Sequence, residues 1–279
     1  MVIDNNSTDH TAAVIQSVAD QGLPIFRVVE TQIGYPYVYN RGLVQAKKAD
    51  WVCFIDDDCI AGQEWYEQLV AGIKRHLEAA AVMGSSQTVH SQSLWSLATW
   101  SFDQIWKLAG VANSTRLVTD KKVTDLEVLD NKNIAYNQQF LQAHNIRFNE
   151  TAAETDGVGA AEDADLGMQI SSHGGTAWFL PKTIVKHHDP TSFWWFCKKI
   201  FGSARAVYMY HQRWSTQRTS ESSSHQPKQK FRLFRQWWKT SRQHHLSYLS
   251  RIYLLLILLF GAGLFRCAYI LTCLKKTNV

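Results

Sequence analysis

Trp51-Val52-Cys53-Phe54-Ile55-Asp56-Asp57-Asp58-Cys59 is an apolar run that ends abruptly in three carboxylates. Read as a strand, it sends successive side chains to opposite faces, so Asp56 and Asp58 point one way and Asp57 the other. Two carboxylates side by side repel unless a cation separates them. Oxygen ligands of this kind suit Mg2+ or Mn2+, and open α/β sheets bind ligands beyond the carboxyl ends of their strands. The stretch therefore reads as a site for a divalent metal and a diphosphate. A solvated acidic turn after a core strand would look the same locally, so the surroundings must decide.

Those surroundings alternate strand, turn and helix. Val2-Ile3-Asp4 reads as a strand end, followed by a turn of good helix N-caps and a helix over residues 11–20. A second strand is expected at 26–30, then a helix within 34–48 that carries Asn40. Trp65, Leu69 and Ile73 fall at i, i+4 and i+8, which places a helix over 64–76. Residues 80–89 read as another strand and 94–108 as a Trp-rich helix. Asn133-Ile134-Ala135-Tyr136 precedes a short helix near 138–144, and 146–149 is a loop or short strand. Gly157 and Gly159 lead into Glu162-Asp163-Ala164-Asp165-Leu166, where a helix start is favoured by acidic residues in its first turn. Gly174-Gly175 ends that helix. Two short strands, 176–180 and 183–186, are closed by His187-His188-Asp189-Pro190. The alternation predicts an α/β domain with a mostly parallel sheet and helices on both faces.

The 279 residues carry a net charge of +5 that hides a split. Residues 1–185 hold 13 Lys and Arg against 22 Asp and Glu, a balance of −9; residues 186–279 hold 16 against 2, a balance of +14. An acidic front and a basic, Trp-rich rear suggest a soluble catalytic part followed by a membrane-surface part. Nucleic acid is set aside as a partner, because the basic stretch runs straight into an apolar segment rather than a folded reader module. Residues 213–230 are Ser- and Gln-rich and read as a linker. Residues 231–251 mix Arg and Lys with Phe and Trp, the pattern of a helix lying on an anionic membrane. Residues 252–274 are long enough to span a bilayer, though Arg266 interrupts them, and a re-entrant or interfacial segment stays open. Cys53, Cys59, Cys197, Cys267 and Cys273 show neither metal-ligand nor disulfide spacing, which suits a reducing compartment. No basic segment precedes Val2, so the start does not read as a signal peptide.

Taken in order, the motifs resemble family 2 glycosyltransferases of the GT-A fold. Val2–Asp9 is similar to that family's strand end and turn. Asn40-x-Gly42 with Ala46 resembles its next helix, and Phe54-Ile55-Asp56-Asp57-Asp58 its DxD segment. Asn133-Ile134-Ala135 resembles the acceptor-side Asn segment, Glu162-Asp163-x-Asp165-Leu166 the ED motif, and His187 the His after the last strand. The resemblance covers residues 1–212. It implies a mixed, mostly parallel GT-A sheet whose first βα unit is missing here, with Met1 falling inside the family's second strand.

The resemblance also implies roles. Asp4 and Asn40 would face the donor, with Asp56 and Asp57 beside its ribose or metal. Asp58 and His187 would hold Mg2+ or Mn2+ against the diphosphate. Asp163 would be the general base, with Glu162, Asp165 and Asn133 on the acceptor side. The donor would be a UDP-, GDP- or dTDP-sugar, and the acceptor a glycan or lipid-linked molecule. The outcome would be inverting, hexosyltransferase-like transfer of one sugar. The catalytic domain would be cytoplasmic, on a bacterial inner membrane. Processive synthases carry Gln-x-x-Arg-Trp, whereas Gln212-Arg213-Trp214 lacks that spacing. Two other functions stay open: a catalytically impaired, membrane-bound binding protein, and a nucleotidyltransferase built on the same acidic metal site.

Overall fold

The computed structural model describes residues 1–110, 119–151, 161–215 and 229–277. The expected Gly157, Gly159 and most of the expected linker lie outside these residues. The chain forms two sheets with helices on both faces. In the smaller sheet, β1 (Val2–Asp4) pairs in parallel with β2 (Arg27–Val29), and α1 (Thr11–Ala19) makes the crossover. The larger sheet contains β3 (Trp51–Ile55), β4 (Cys59–Ala61), β5 (Ala81–Thr88), β6 (Lys121–Val123), β7 (Asn133–Asn137) and β8 (Ala177–His187). Its order is β3-β7-β5-β8-β4, with β6 also on β8.

This sheet is mixed, and the expectation of mostly parallel pairing is corrected. β3, β5 and β8 run the same way, but β7 lies between β3 and β5 and opposes both; β5–β8 is the parallel pair. Sequence periodicity had no means of showing β7. Ile134, Ala135 and Tyr136 are all fully buried, so the strand lacks the polar–apolar alternation that marks a one-sided strand. Among the described residues, β1 pairs only with β2, and β3 only with β7. Gly42 in α2 (Tyr35–Gln45) spans the two sheets from below, lying against Phe54 on one side and Ile3 on the other.

β8 also differs from the reading, which broke it at Pro181. It is one strand, and its register against β5 jumps from Gly84↔Leu180 to Ser85↔Ile184. The bulge absorbs the missing proline N–H. The Asn133 amide fills the bulge, donating to Ser85 O at 3.0 Å and Thr183 O at 2.8 Å. A Cβ on Gly84 would lie 2.1 Å from Asn133 Nδ2 and 2.3 Å from Thr183 O. Gly84→Ala is therefore expected to destabilise the protein by about 1–3 kcal/mol or more through overpacking against backbone. Urea unfolding measures this, and unchanged stability would show that the bulge is not held this way.

The core forms on both faces of the sheet. Tyr39 and Leu43 of α2 pack with Met83, Ile134, Tyr136, Phe148 and the inner face of α6 (Glu162–Ser172). Leu69 of α3 (Trp65–Arg75) packs with Val82, Ala135 and Leu180 on the other face, with Trp65 and Ile73 beside it as the i, i+4, i+8 spacing predicts. A short helix α5 (Gln138–Ala143) is capped by Asn137, which accepts from Phe140 N. A separate helical layer joins α4 (Leu94–Gly110), α7 (Phe193–Trp214), α8 (Gln229–Gln243) and α9 (Tyr248–Thr277) around Leu97, Phe196, Ile200, Leu254 and Leu258. The C-terminal helices thus share a core with α4 and α7.

Candidate active site

The strand that begins at Trp51 stops at Ile55, and Asp57-Asp58 form a turn into β4, closed by Cys59 N donating to Asp56 O at 3.1 Å. The expected two-face alternation of the three aspartates is replaced by this turn. β4 pairs with the end of β8, Cys59 opposite His187, which brings two distant segments together. His187 Nε2 lies 3.2 Å from Asp58 Oδ2, and His187 Nδ1 lies 3.0 Å from Asp189 Oδ1. His188 N donates to Asp58 O at 2.9 Å. Burial alone would lower the His187 pKa, but its hydrogen bonds to Asp189 and then Asp58 raise it overall. Burial alone would raise that of Asp58, but the His187 hydrogen bond and nearby cations hold it below the usual carboxylate range.

Behind this pair runs a row of alternating charge. Lys199 Nζ is 3.9 Å from Asp189 and 3.7 Å from Asp103; Lys132 Nζ is 2.8 Å from Asp103. Lys132 is buried, which opposes its charge, yet Asp103 first, then Asp189 and Asp56, push its pKa upward. Asp56 accepts from Tyr39 Oη at 3.2 Å. Burial raises the Asp56 pKa; Lys132 opposes this and Asp58 adds to it. Asp57 is exposed at the tip of the turn. Burial, with the Asp56 and Asp58 charges, pushes the Cys59 thiol up to about 12.

The second acidic group opens α6. Its N-cap, Ala161, has φ 52° and ψ 34°, a left-handed conformation that costs a non-glycine residue roughly 1–2 kcal/mol. That turn presents Glu162 and Asp163, and Asp163 Oδ1 accepts from Ala164 N at 2.9 Å. Both acidic groups act on the same tyrosines. The Tyr39 pKa is raised first by burial, then by Asp56, Glu162 and Asp163; that of Tyr35 by burial, then Asp56, Glu162, Asp57 and Asp58. One helix, α2, therefore sits within the field of both groups.

Four expected site residues are committed to protein partners instead. Asp4 is 3% exposed, is ion-paired with Arg27 and accepts from Ser7 N at 2.9 Å. Asn40 donates to Phe148 O at 2.9 Å and Glu150 Oε1 at 2.8 Å, and accepts from Phe148 N, fastening the 148–150 loop to α2. Asn133 accepts from Trp65 Nε1 at 2.9 Å while its amide nitrogen holds the β8 bulge. Asp165 is 2% exposed and accepts from Arg213 Nη1 at 2.7 Å, Trp214 Nε1 at 2.8 Å and Gln169 Nε2 at 3.0 Å. Asp56, Asp57, Asp58, Glu162, Asp163 and His187 remain as the candidate reacting groups. Sequence reasoning missed Tyr39, Lys132, Asp189 and the Arg213-Trp214 clamp. Only Arg213-Trp214 gave any sequence signal, as a motif of the wrong spacing.

No cluster of three or more His, Cys, Asp or Glu side chains able to hold a metal occurs among the described residues. Asp58 and His187 offer one oxygen and one nitrogen donor. The Asp189 bond at Nδ1 leaves Nε2 directed at Asp58, the orientation a ligating imidazole takes. That set fits an ion that takes its other ligands from diphosphate and water, as Mg2+ and Mn2+ do.

A mixed sheet flanked by helices, with an acidic turn after β3, is an architecture shared with the GT-A fold. The mannosyltransferase PcManGT from Pyrobaculum calidifontis, solved with GDP-Man and Mn2+, superposes over 98% of this chain and 74% of its own, with TM-score 0.54 and 15% identity. Residues 1–139 match the model of glycosyl transferase family 2, and this part of the chain is a family 2 glycosyltransferase domain. S. aureus TarS 1–349 in complex with UDP aligns over 99% of this chain and 81% of its own at 15% identity, with TM-score 0.47. No curated protein sequence is significantly similar to the chain.

Proposed function

We propose that this protein is a metal-dependent, inverting glycosyltransferase. It moves one sugar from a nucleotide-sugar donor to a lipid-linked or cell-envelope glycan at the cytoplasmic face of a membrane. The observation that carries this reading is the contact of Asp58 with His187, which joins the acidic turn after β3 to the end of β8 in a chain whose residues 1–139 match glycosyl transferase family 2. Transfer needs two things at once: charge stabilisation on a leaving diphosphate and a base beside the incoming hydroxyl. Asp163 takes the proton from the acceptor hydroxyl as that oxygen bonds to the anomeric carbon and the bond to the diphosphate breaks. Glu162 shapes the acceptor side, and Asp56 and Asp57 face the ribose. Asp58 and His187 would hold the divalent ion, whose charge stabilises the departing diphosphate. Lys132 adds positive field at the same end.

GDP and UDP are the probes for donor binding. With Mn2+, one of them is expected to raise the unfolding temperature, and Asp58→Ala is expected to remove most of that shift. An unchanged shift in the variant would take Asp58 out of the donor site. A binding protein without turnover is the second reading. One observation favours it: the Asp4 carboxylate is already engaged by Arg27 and Ser7. A donor-induced shift with no sugar transfer to any acceptor lipid would select that reading.

A further inference from the structure

We propose that α9 does not cross the membrane. It lies in the surface of an anionic bilayer, together with the aromatic start of α7, so both of its ends face the same side. Length alone would permit a crossing: Tyr248–Leu274 is 27 residues, about 40 Å of helix. Packing opposes it. Leu254, Leu258 and Ala268 are fully buried. Gly261 fits so closely that a Cβ there would lie 2.7 Å from Phe102 of α4 and 2.8 Å from Phe196 of α7. Farther along, Tyr269 Oη lies 3.0 Å from His211 Nδ1, and its ring is 5.4 Å from that of Tyr208. α9 therefore follows α7 from Phe196 to His211. A crossing would draw α7 into the hydrocarbon with Lys198, Lys199 and Arg205, at high cost. It would also draw in Lys199, which lies against Asp103 and Asp189 beside the cleft.

The exposed residues of α9 fit an in-plane helix. Leu249, Ile252, Tyr253, Leu256, Leu259, Phe260, Ile270, Leu271 and Leu274 are each 38–66% exposed. At 3.6 residues per turn they fall within one arc of about 120°. Arg266 lies at the edge of that arc, five turns from Tyr248, where its guanidinium reaches the headgroups. In a spanning helix it would sit roughly 4.5 Å from the midpoint of 252–274.

The stripe continues onto α7. The Phe260 ring is 5.8 Å from Phe193, and Phe193 is 5.1 Å from Trp194, which is 78% exposed. Trp195 is 61% exposed, with Lys198 Nζ 5.0 Å from its ring centre. Amphipathic aromatics and lysine are what a membrane interface selects. The occupant is lipid rather than a second copy because of charge. Residues 186–279 carry 16 Lys and Arg against 2 Asp and Glu, complementary to anionic headgroups and repulsive to themselves. Only five residues separate His187, at the end of β8, from Phe193 on this surface, so the Asp58–His187 pair lies close to the lipid plane. That last step, toward a lipid-linked acceptor, rests on the proposed transfer activity; the in-plane orientation does not.

The test uses the full chain, tagged at each end in turn, with sealed phosphatidylcholine vesicles with and without phosphatidylglycerol. Flotation is expected only with phosphatidylglycerol, with release by alkaline carbonate. Protease added outside should remove either tag. A protected C-terminal tag shows a crossing and overturns the proposal. Failure to float, with a dimer in solution, assigns the stripe to a second copy and also overturns it. Combined Leu256→Glu and Phe260→Glu substitution is expected to cut the bound fraction at least tenfold. Trp194→Ala, on a different helix and highly exposed, is expected to cut it severalfold with the unfolding temperature unchanged. Full binding by the Trp194 variant would exclude the α7 aromatics. None of these measurements depends on sugar transfer.

Discussion

Asp163→Asn is expected to lower sugar transfer by about 10²–10⁴-fold, the contribution of a positioned general base. The substitution removes the proton-accepting charge and little else. The amide oxygen can still accept from Ala164 N, as Oδ1 does now at 2.9 Å, so α6 should begin as before. Donor binding should survive, because Asp58 and His187 sit on a different turn. The discriminating measurement is single-turnover transfer with saturating donor, alongside the nucleotide-induced thermal shift. A variant that keeps its full rate would show that another group takes the proton. A variant that loses both rate and donor binding would move Asp163 to the donor side.

Asp165→Ala should act on the fold instead, costing about 1–3 kcal/mol, the range for leaving a buried hydrogen-bond donor without its partner. Asp165 is almost fully enclosed and accepts from Arg213, Trp214 and Gln169. Removing it leaves the Trp214 indole N–H facing a gap at the join between α6 and α7, while the exposed Arg213 guanidinium can turn to water. A domain of this size is stable by only about 5–15 kcal/mol, so the loss is a large share of the whole. Denaturant unfolding reads it directly. Asp165→Asn should lose less, since one carbonyl still accepts. Were Asp165→Ala as stable as the parent yet inactive, Asp165 would belong to the reaction after all.

How far the sequence carries depends on the range over which each signal acts. The strand ending at Ile55, the amphipathic helix at 64–76 and the acidic helix start at Glu162 were legible because each is written in neighbouring residues. Proximity of Asp58 to His187 was carried by motif order alone, since 129 positions separate them. β7 stayed hidden because a strand buried on both faces has no alternation, and Pro181 split β8 because a bulge compensates for it only in three dimensions. The structural bonds of Asn40, Asn133 and Asp165 were not legible in the sequence. Their partners, at positions 148, 183 and 213, are far off in the chain.

The row from Asp58 through His187, Asp189, Lys199 and Asp103 to Lys132 makes these six side chains a single electrostatic unit. Neutralising any of the four inner members leaves its two like-signed neighbours confronting each other. Damage from a single exchange will therefore exceed that of removing an adjacent acid and base together, with coupling of roughly 0.5–3 kcal/mol between the pair. Natural variation along this row should come as compensated doublets, and transplanting one member from a relative without its neighbour should fail.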